Sequence, residues 1–328
     1  MMAKSNRSSH RGTPLKLSLP ATSANLGPAF DAAALALGLF LRVRARTSEK
    51  FSITARGRDA GICGQIENHL ILTTYSEILE RESKRIQPLA LHIENEIPIG
   101  KGCGSSAAAR LAGIALAVHF GRLRWDDARI VGEASRREHH PDNAAACWYG
   151  GLAIARMSGE AETQVASIVP KGKWPLLLAV PDEALSTEQS RRVFPEQYSR
   201  ADAVVNIQNS MLLLAAFVQG RRDLLASSLE DRIHQPYRGP LCPLLPALQE
   251  LTGQAGILGS ALSGAGPSVL MFLDSNSTTN RLNAKIRAHL CAQGLRADLL
   301  PAEITHKGAR QIRGWNTKQR AAVAAPYR

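Results

Sequence analysis

Hydrophobic and polar residues alternate from Leu15 to Leu19, from Phe40 to Ala45 and from Phe51 to Ala55. This two-residue period is that of strands with one buried face. Between the first two runs, Asp31 to Leu37 is rich in alanine and leucine. From Asn68 to Lys84 the spacing becomes helical, with Leu70, Leu72, Tyr75 and Ile78 or Leu79 on one face. Leu89 to Glu94 alternates again and runs into a glycine-rich turn at Pro98 to Gly104. Ser105 to His119 reads as an alanine-rich helix opened by serine, and Asp126 to Arg137 as a helix with acids in its first turn. Strands are predicted at Trp148–Ala155, Leu176–Val180, Gly256–Leu262 and Val269–Leu273, with Glu160 to Trp174 as a connection. Helices are predicted at Ala201–Val218, Arg222–Leu229 and Asn280–Gln293, with a further helix end at Leu248–Leu251. No period repeats along the chain. Strands mixed with helices and antiparallel returns predict an α+β fold, not a doubly wound sheet.

At 328 residues the chain is long for one core, so two closely packed domains are expected. No apolar run approaches the roughly 18 residues that span a bilayer, and no membrane association is expected. Met1 to Arg11 is polar and basic and lacks the apolar stretch of a secretory signal. The net charge of +12 is concentrated at the ends. Lys4, Arg7, Arg11 and Lys16 stand before residue 17 without an acid, and Lys307, Arg310, Arg313, Lys318, Arg320 and Arg328 close the chain without one. The body is nearly balanced, and the tails lack the aromatic interleaving of base-stacking segments, so no specific nucleic acid is expected. Cys63, Cys103, Cys147, Cys242 and Cys291 form no CxxC pair. They read as reduced, buried thiols of a cytoplasmic protein rather than as zinc ligands.

Three segments carry candidate chemistry. The first, Pro20 to Asp31, follows a strand and is crowded with small, turn-forming residues around Asn25 and Asp31; alone, it reads as a capped turn. The second comprises Pro98, Ile99, Gly100, Lys101, Gly102, Cys103, Gly104, Ser105 and Ser106. Three glycines at alternate positions let backbone N–H groups approach an anion, and the serine pair opens a helix whose N-terminus favours phosphate. The loop is neither a Walker A nor a GxGxxG sequence. The third, His139-His140-Pro141-Asp142-Asn143, follows a helix carrying Glu133 and Glu138. Adjacent histidines cannot readily share a metal, whereas carboxylates beside a phosphate loop suit Mg²⁺.

Together with Leu262-Ser263-Gly264-Ala265-Gly266-Pro267-Ser268, these segments resemble the signature motifs of the GHMP kinase superfamily, in their order. Ser-Ala-Asn-Leu-Gly-x-x-Phe-Asp in the first motif, and His140-Pro141-Asp142-Asn143, are similar to the homoserine kinases within it. So are Leu185-Ser186-Thr187-x-x-x-Arg191 and Asp231-Arg232-Ile233-His234-Gln235-Pro236-Tyr237-Arg238. The resemblance covers roughly Lys16 to Leu273. It departs from the family at Ala29, usually glycine, at Ala32-Ala33-Ala34, usually Ser-Leu-Gly, and at Cys103, usually Leu or Met. An alanine at 29 would strain the turn if that backbone needs a positive φ.

The resemblance implies an N-terminal domain like the second domain of ribosomal protein S5 and a ferredoxin-like C-terminal domain. The expected boundaries are a basic arm at 1–14, the ATP-binding domain at 15–165, the second domain at 166–306 and a basic tail at 307–328. It implies transfer of the γ-phosphoryl of ATP, with Mg²⁺, to the hydroxyl of L-homoserine, in threonine biosynthesis. A homodimer is expected. Asp31 would take the ammonium, and Arg191 with Arg238 the carboxylate, a task that suits the arginine fork. Asn25 and His140 would hold the hydroxyl, with Asn143 and Thr187 close by. The loop from Pro98 to Ser106 would wrap the phosphates, with Ser263, Gly264, Ala265 and Gly266 as the third glycine motif and Asn68 near the adenine. Ser106 and a helix carboxylate would hold Mg²⁺; Glu133 is expected, with Glu138 in reserve. Mevalonate kinases place an aspartate base where Asn143 stands, so direct attack without a base is expected. Asp142, in an extended stretch beside Asn143, should face away. Alternatives at this stage are another small-alcohol kinase of the superfamily, or a non-enzymatic protein that binds polyanions through its tails.

Overall fold

The computed structural model describes residues 13–274 and 279–309. The basic tails lie outside these, apart from Lys16 and Lys307. β1 (Leu15–Asn25) pairs antiparallel with β2 (Ala29–Thr47). The predicted alternation in β1 holds, with Leu15, Leu17 and Leu19 buried and Lys16 and Ser18 exposed. β2 is one strand of 19 residues, taking in the alanine- and leucine-rich run as well as the predicted strand. Its partner register jumps between Pro20 opposite Phe40 and Ala21 opposite Leu37. That bulge at Gly38–Leu39 breaks the sequence pattern without breaking the strand.

β3 (Ser52–Gly57), β4 (Leu89–Asn95), β5 (Leu152–Gly159) and β6 (Glu162–Ile168) complete the first sheet, ordered β3-β4-β2-β5-β6 with β1 along β2. Only β3 and β4 run parallel. β6 replaces the predicted connection. Most of its side chains are at least partly exposed on both faces, so it has no buried apolar stripe to read. It also spans the expected domain boundary at 165, and its pairing with β5 carries the first sheet to Ile168. Five helices accompany this sheet: α1 (Ala60–Cys63), α2 (Leu70–Arg81), α3 (Ser105–Phe120), α4 (Asp127–Glu138) and α5 (Asp142–Tyr149). α5 was not legible as a helix. Asp142 through Trp148 are all buried, which leaves no polar face to set a period.

The second half contains β7 (Leu176–Val180), α6 (Thr187–Arg191) and α7 (Arg200–Gln219). A short 3₁₀ turn then leads into α8 (Leu225–Ser228), α9 (Gln235–Arg238) and α10 (Leu244–Gln249). β8 (Ile257–Leu262), β9 (Val269–Leu273), α11 (Thr279–Ala292) and β10 (Asp298–Ala302) close it. The sheet order β10-β7-β9-β8, all antiparallel, is the ferredoxin-like arrangement. The chain then returns to the first half, where Thr305 N–H donates to Ala36 O and Ile304 bridges Leu37.

α7 has the length and apolarity to cross a bilayer by composition alone. Its polar residues instead anchor it to the first glycine segment. Asn206 Nδ2 and Ser210 Oγ both donate to Pro28 O, at 2.7 and 2.8 Å.

Candidate active site

A cleft opens where the two sheets' loops meet, and the three glycine segments build its walls by gripping one another. Gly264 N–H donates to Ala24 O at 3.0 Å, and Thr22 N–H to Cys103 O at 3.1 Å. Ser263 Oγ donates to Gly102 O at 2.8 Å. The packing is tight enough to require glycine. A Cβ on Gly102, at φ +78°, would lie 2.1 Å from Ser263 O, and one on Gly104, at φ +71°, 1.8 Å from Thr22 Oγ1.

Gly104 caps α3 in the left-handed conformation, so the first N–H groups of that helix have no intrahelical partner and point into the loop. Gly100, Gly102, Gly104, Ser105 and Ser106 line the cleft, as do Gly264, Ala265 and Gly266. Four members of the expected phosphate loop, Pro98, Ile99, Lys101 and Cys103, do not. Pro98 lies outside the lining, and Lys101 Nζ turns back to donate to Asp182 O. Cys103 is buried between the glycine segments, its thiol pushed up to about 12 by burial. A neighbouring cavity of about 560 Å³ shares Gly100, Ser105 and Ser106 with the cleft and contains Asn68 and Ile99.

The structure places Glu133, the carboxylate expected for magnesium, away from the cleft. Its carboxylate is tied to Arg81 at 3.0 Å, Arg136 at 2.9 Å and Arg137 at 2.7 Å. Burial alone would raise its pKa, but the three arginines prevail and hold it down at about 2. One turn later, Glu138 Oε1 accepts from Ser106 Oγ at 2.6 Å and from Arg110 Nε at 2.5 Å. Glu138 lines the cleft, and Oε2 has no hydrogen bond among the described residues. A serine hydroxyl and a carboxylate at a helix N-terminus are the hard oxygen donors that Mg²⁺ takes.

The first segment arrives through strained backbone. Asn25, Leu26, Gly27 and Asp31 have φ of 72°, 46°, 77° and 52°. Ala29 is not among them, so the alanine there carries no such strain. Asn25 lines the cleft as expected, but its carboxamide also braces it. Oδ1 accepts from Asp31 N–H at 2.9 Å and Nδ2 donates to Gly264 O at 2.7 Å. Asp31 takes Arg191 Nη2 on both oxygens, at 2.8 and 2.9 Å.

Asp142 was misplaced by the sequence. It opens α5 instead of lying in an extended stretch, is buried, and lines the cleft. Its Oδ1 accepts from His140 Nδ1 at 2.7 Å and from Asn143 N–H at 2.6 Å. Since Asp142 accepts at Nδ1, the remaining ring nitrogen of His140 is Nε2. Asn143 is turned in place by Thr22 Oγ1, which donates to its Oδ1 at 2.5 Å. Asp31, His140 and Asp142 offer ligand atoms within 4.8 Å of one another. Burial, then the Asp142 charge, raise the Asp31 pKa against Arg191 and His140. Burial opposes charge on His140, yet Asp142, Asp31 and Glu138 raise its pKa. These three ionisable groups crowd one side of the cleft, with Arg191 the cation in contact with Asp31.

Arg191, Arg238 and Leu185 also line the cleft, Arg191 directly against Asp31. Thr187 opens the short helix that carries Arg191. Gly264, Ala265, Gly266 and the two arginines, singled out in the sequence, line the cleft, whereas Ser263 does not; Thr22, Asp142 and Leu185 were not assigned. Asp142 carried a signal, as an acid in the first turn of what proves to be a helix.

Residues 69–151 match the GHMP kinases N terminal domain family, and residues 213–290 the GHMP kinases C terminal family. The chain is 45% identical over 259 residues to the homoserine kinase of Solibacter usitatus, covering 79% of this chain and 84% of that one. The chain belongs to the homoserine kinases of the GHMP kinase family. It is also 34% identical to the homoserine kinase of Deinococcus radiodurans, over 90% of this chain and 96% of its relative. Among solved structures, homoserine kinase from Cytophaga hutchinsonii superposes with a TM-score of 0.75 at 24% identity, covering 90% and 96% of the two chains. Mevalonate kinase from L. major, in complex with R-mevalonate, gives 0.65 at 14% identity, over 91% and 98%. These last two likenesses describe the fold.

Proposed function

We propose that this chain phosphorylates the side-chain hydroxyl of L-homoserine with ATP, in the cytoplasm, at the cleft between its glycine segments. The observation that carries this reading is the polarity of the cleft. It has an acidic nook at Asp31 and Asp142, an arginine wall at Arg191 and Arg238, and a phosphate-binding helix end at Ser105–Ser106. An amino acid with a terminal hydroxyl matches all three, whereas mevalonate lacks the ammonium and a sugar lacks both charges.

The ammonium enters beside Asp31 and Asp142, and the carboxylate takes the guanidinium of Arg191 or Arg238, so the Asp31–Arg191 pair opens toward the two ends of one zwitterion. His140 Nε2 and the Asn143 amide then hold the hydroxyl. ATP lays its phosphates along the loop from Gly100 to Ser106, with the nucleoside in the adjoining cavity near Asn68. Ser106 and Glu138 are the residues that would hold Mg²⁺, which when bound neutralises phosphate charge. Phosphoryl transfer has a loose transition state, so the protein's work is alignment and charge stabilisation by helix N–H groups.

The test is ADP release from Mg-ATP with L-homoserine, mevalonate and galactose. Turnover is expected with homoserine and little with the other two; equal turnover on all three, or none on homoserine, defeats the reading. We further propose a homodimer formed through α7, whose Val204, Ile207 and Met211 are 47–63% exposed at helical spacing. Sedimentation of Ile207→Glu against the native chain checks this, with a monomer expected for the variant.

A further inference from the structure

Arg238 is an unusual cation. It is 1% exposed, yet it forms no salt bridge among the described residues. Neutral groups hold it. Nε donates to Ser190 O at 3.1 Å, and Nη1 is shared between His234 Nδ1 at 3.2 Å and Gly264 O at 3.4 Å. The guanidinium stands 5.3 Å from the Phe30 ring centre and 4.8 Å from that of Phe194. Nη2 has no hydrogen bond among the described residues. A buried guanidinium without an anion is costly, and burial lowers its pKa to about 10. An incoming carboxylate relieves that cost.

His234 sets the direction of this cation. It is fully buried at the start of α9, one turn before Arg238. Its Nε2 lies 2.7 Å from Gly27 O. A carbonyl only accepts, so Nε2 carries the hydrogen, and a neutral ring then offers a lone pair at Nδ1. That lone pair is what Arg238 Nη1 needs. The other tautomer, or the imidazolium, would set N–H against N–H. The surroundings keep the ring neutral: burial first, with Arg238, lowers its pKa well below the ordinary histidine value against the pull of Asp231, whose Oδ2 lies 3.4 Å from Nε2. Asp231 is occupied in capping, accepting from the N–H groups of Ile233 and His234 at 2.9 and 3.0 Å and from that of Gln235. The His234 ring also lies nearly parallel to Phe30, 24° apart with centres 5.2 Å distant.

We propose that His234 is a positioning residue for the substrate carboxylate: locked as its Nε2–H tautomer by Gly27 O, it holds one arm of Arg238 so that Nη2 is presented to the cleft. Gly27 belongs to the same loop as Asp31, so the histidine also ties the carboxylate-binding arginine to the ammonium-binding segment. The inference rests on the reading of Arg238 as a carboxylate ligand.

The experiment compares Michaelis constants for L-homoserine and ATP in His234→Gln, His234→Asn and Arg238→Ala. The glutamine places a polar atom near Nε2 and abandons Nδ1; the asparagine keeps an acceptor near Nδ1. His234→Gln is expected to raise KM for homoserine about tenfold, the worth of a charge-assisted hydrogen bond, with KM for ATP within about twofold. His234→Asn should recover most of that loss. If His234→Gln leaves KM for homoserine unchanged, or if both variants lose homoserine and ATP affinity alike, His234 does not act through Arg238. If Arg238→Ala leaves KM for homoserine unchanged, the clamp reading fails and this inference with it. Long-range ¹H–¹⁵N spectra of the histidines in the native protein give an arm independent of whether variants fold. A neutral Nε2–H ring at position 234 near neutral pH is expected, and an Nδ1–H or protonated ring overturns the proposal.

Discussion

Ser106 Oγ and Glu138 Oε1 meet at 2.6 Å, joining the first turn of α3 to the last turn of α4. This contact puts a carboxylate at the N-terminus of α3, in the cleft where the phosphates are proposed to lie. Glu138→Gln should lower kcat about a hundredfold, the scale of losing one charge-stabilising group in a phosphoryl-transfer site, and raise the Mg²⁺ concentration needed for half-maximal rate. Ser106→Ala should do the same more weakly. Rates measured across a magnesium titration check both. A wild-type magnesium dependence in Glu138→Gln removes that residue from the site.

Glu133, by contrast, should matter to stability and not to rate. It joins α4 to α2 through Arg81, and to its own helix through Arg136 and Arg137. Removing one partner of a buried ion network costs about 3–5 kcal/mol, and less here because Arg81 and Arg136 reach solvent. Glu133→Gln should therefore lose about 2 kcal/mol in denaturant unfolding, with kcat retained. The pH sign follows from its depressed pKa. The stabilisation is full above the ordinary 4.5 and is lost as pH falls toward about 2. Acid unfolding of the variant should be correspondingly flatter in that window.

Why the sequence did not show which of Glu133 and Glu138 meets Ser106 is physical. Glu133 and Glu138 lie five residues apart on one helix, and sequence spacing alone does not say which turn meets Ser106. That depends on how α4 packs on α3. The glycine segments were readable because each contains a local requirement, a helix opening or a positive φ, that only certain residues meet. β1 and β4 were readable from alternation, and β7 and β9 as short apolar runs. The helix at Asp142–Tyr149 was not, since burial on every side erases the amphipathic signal. The bracing of Asn143 by Thr22 was equally hidden, because it joins positions 121 residues apart.

The Asp31–Arg191 pair predicts opposed effects of acid on binding and folding. Arg191→Ala should lower kcat/KM for homoserine about tenfold to a hundredfold, as expected for a charge-assisted contact, with KM for ATP little changed. Asp31 must be ionised to take an ammonium, and its pKa is raised, chiefly by burial. KM for homoserine should therefore climb, as pH falls, at a higher pH than an ordinary aspartate would dictate. The same raised pKa contributes stability below the unfolded value of 3.8, and this contribution is lost as pH rises through the folded value. A KM that stays flat down to the ordinary aspartate range would remove Asp31 from the ammonium site.

Asp142→Asn is the sharpest test of the hydroxyl end. Read as part of an extended stretch, Asp142 should be dispensable. In the structure its Oδ1 holds both His140 Nδ1 and Asn143 N–H, and it sits in the cleft. The expected loss in kcat is about tenfold to a hundredfold, the value of a hydrogen bond to a charged group. A general base would give about 10²–10⁴-fold, so magnitude alone does not separate the two at their overlap. A double-mutant cycle does. If Asp142 acts by orienting His140, its substitution should cost little further rate in a His140→Ala background, because the oriented ring is already gone. If Asp142 draws the proton from the hydroxyl itself, its full cost should persist there. Oδ1 already holds the His140 ring and the backbone of Asn143, which is the orienting role, while Oδ2 has no hydrogen bond among the described residues and faces no such commitment, so it is the cycle that separates the two.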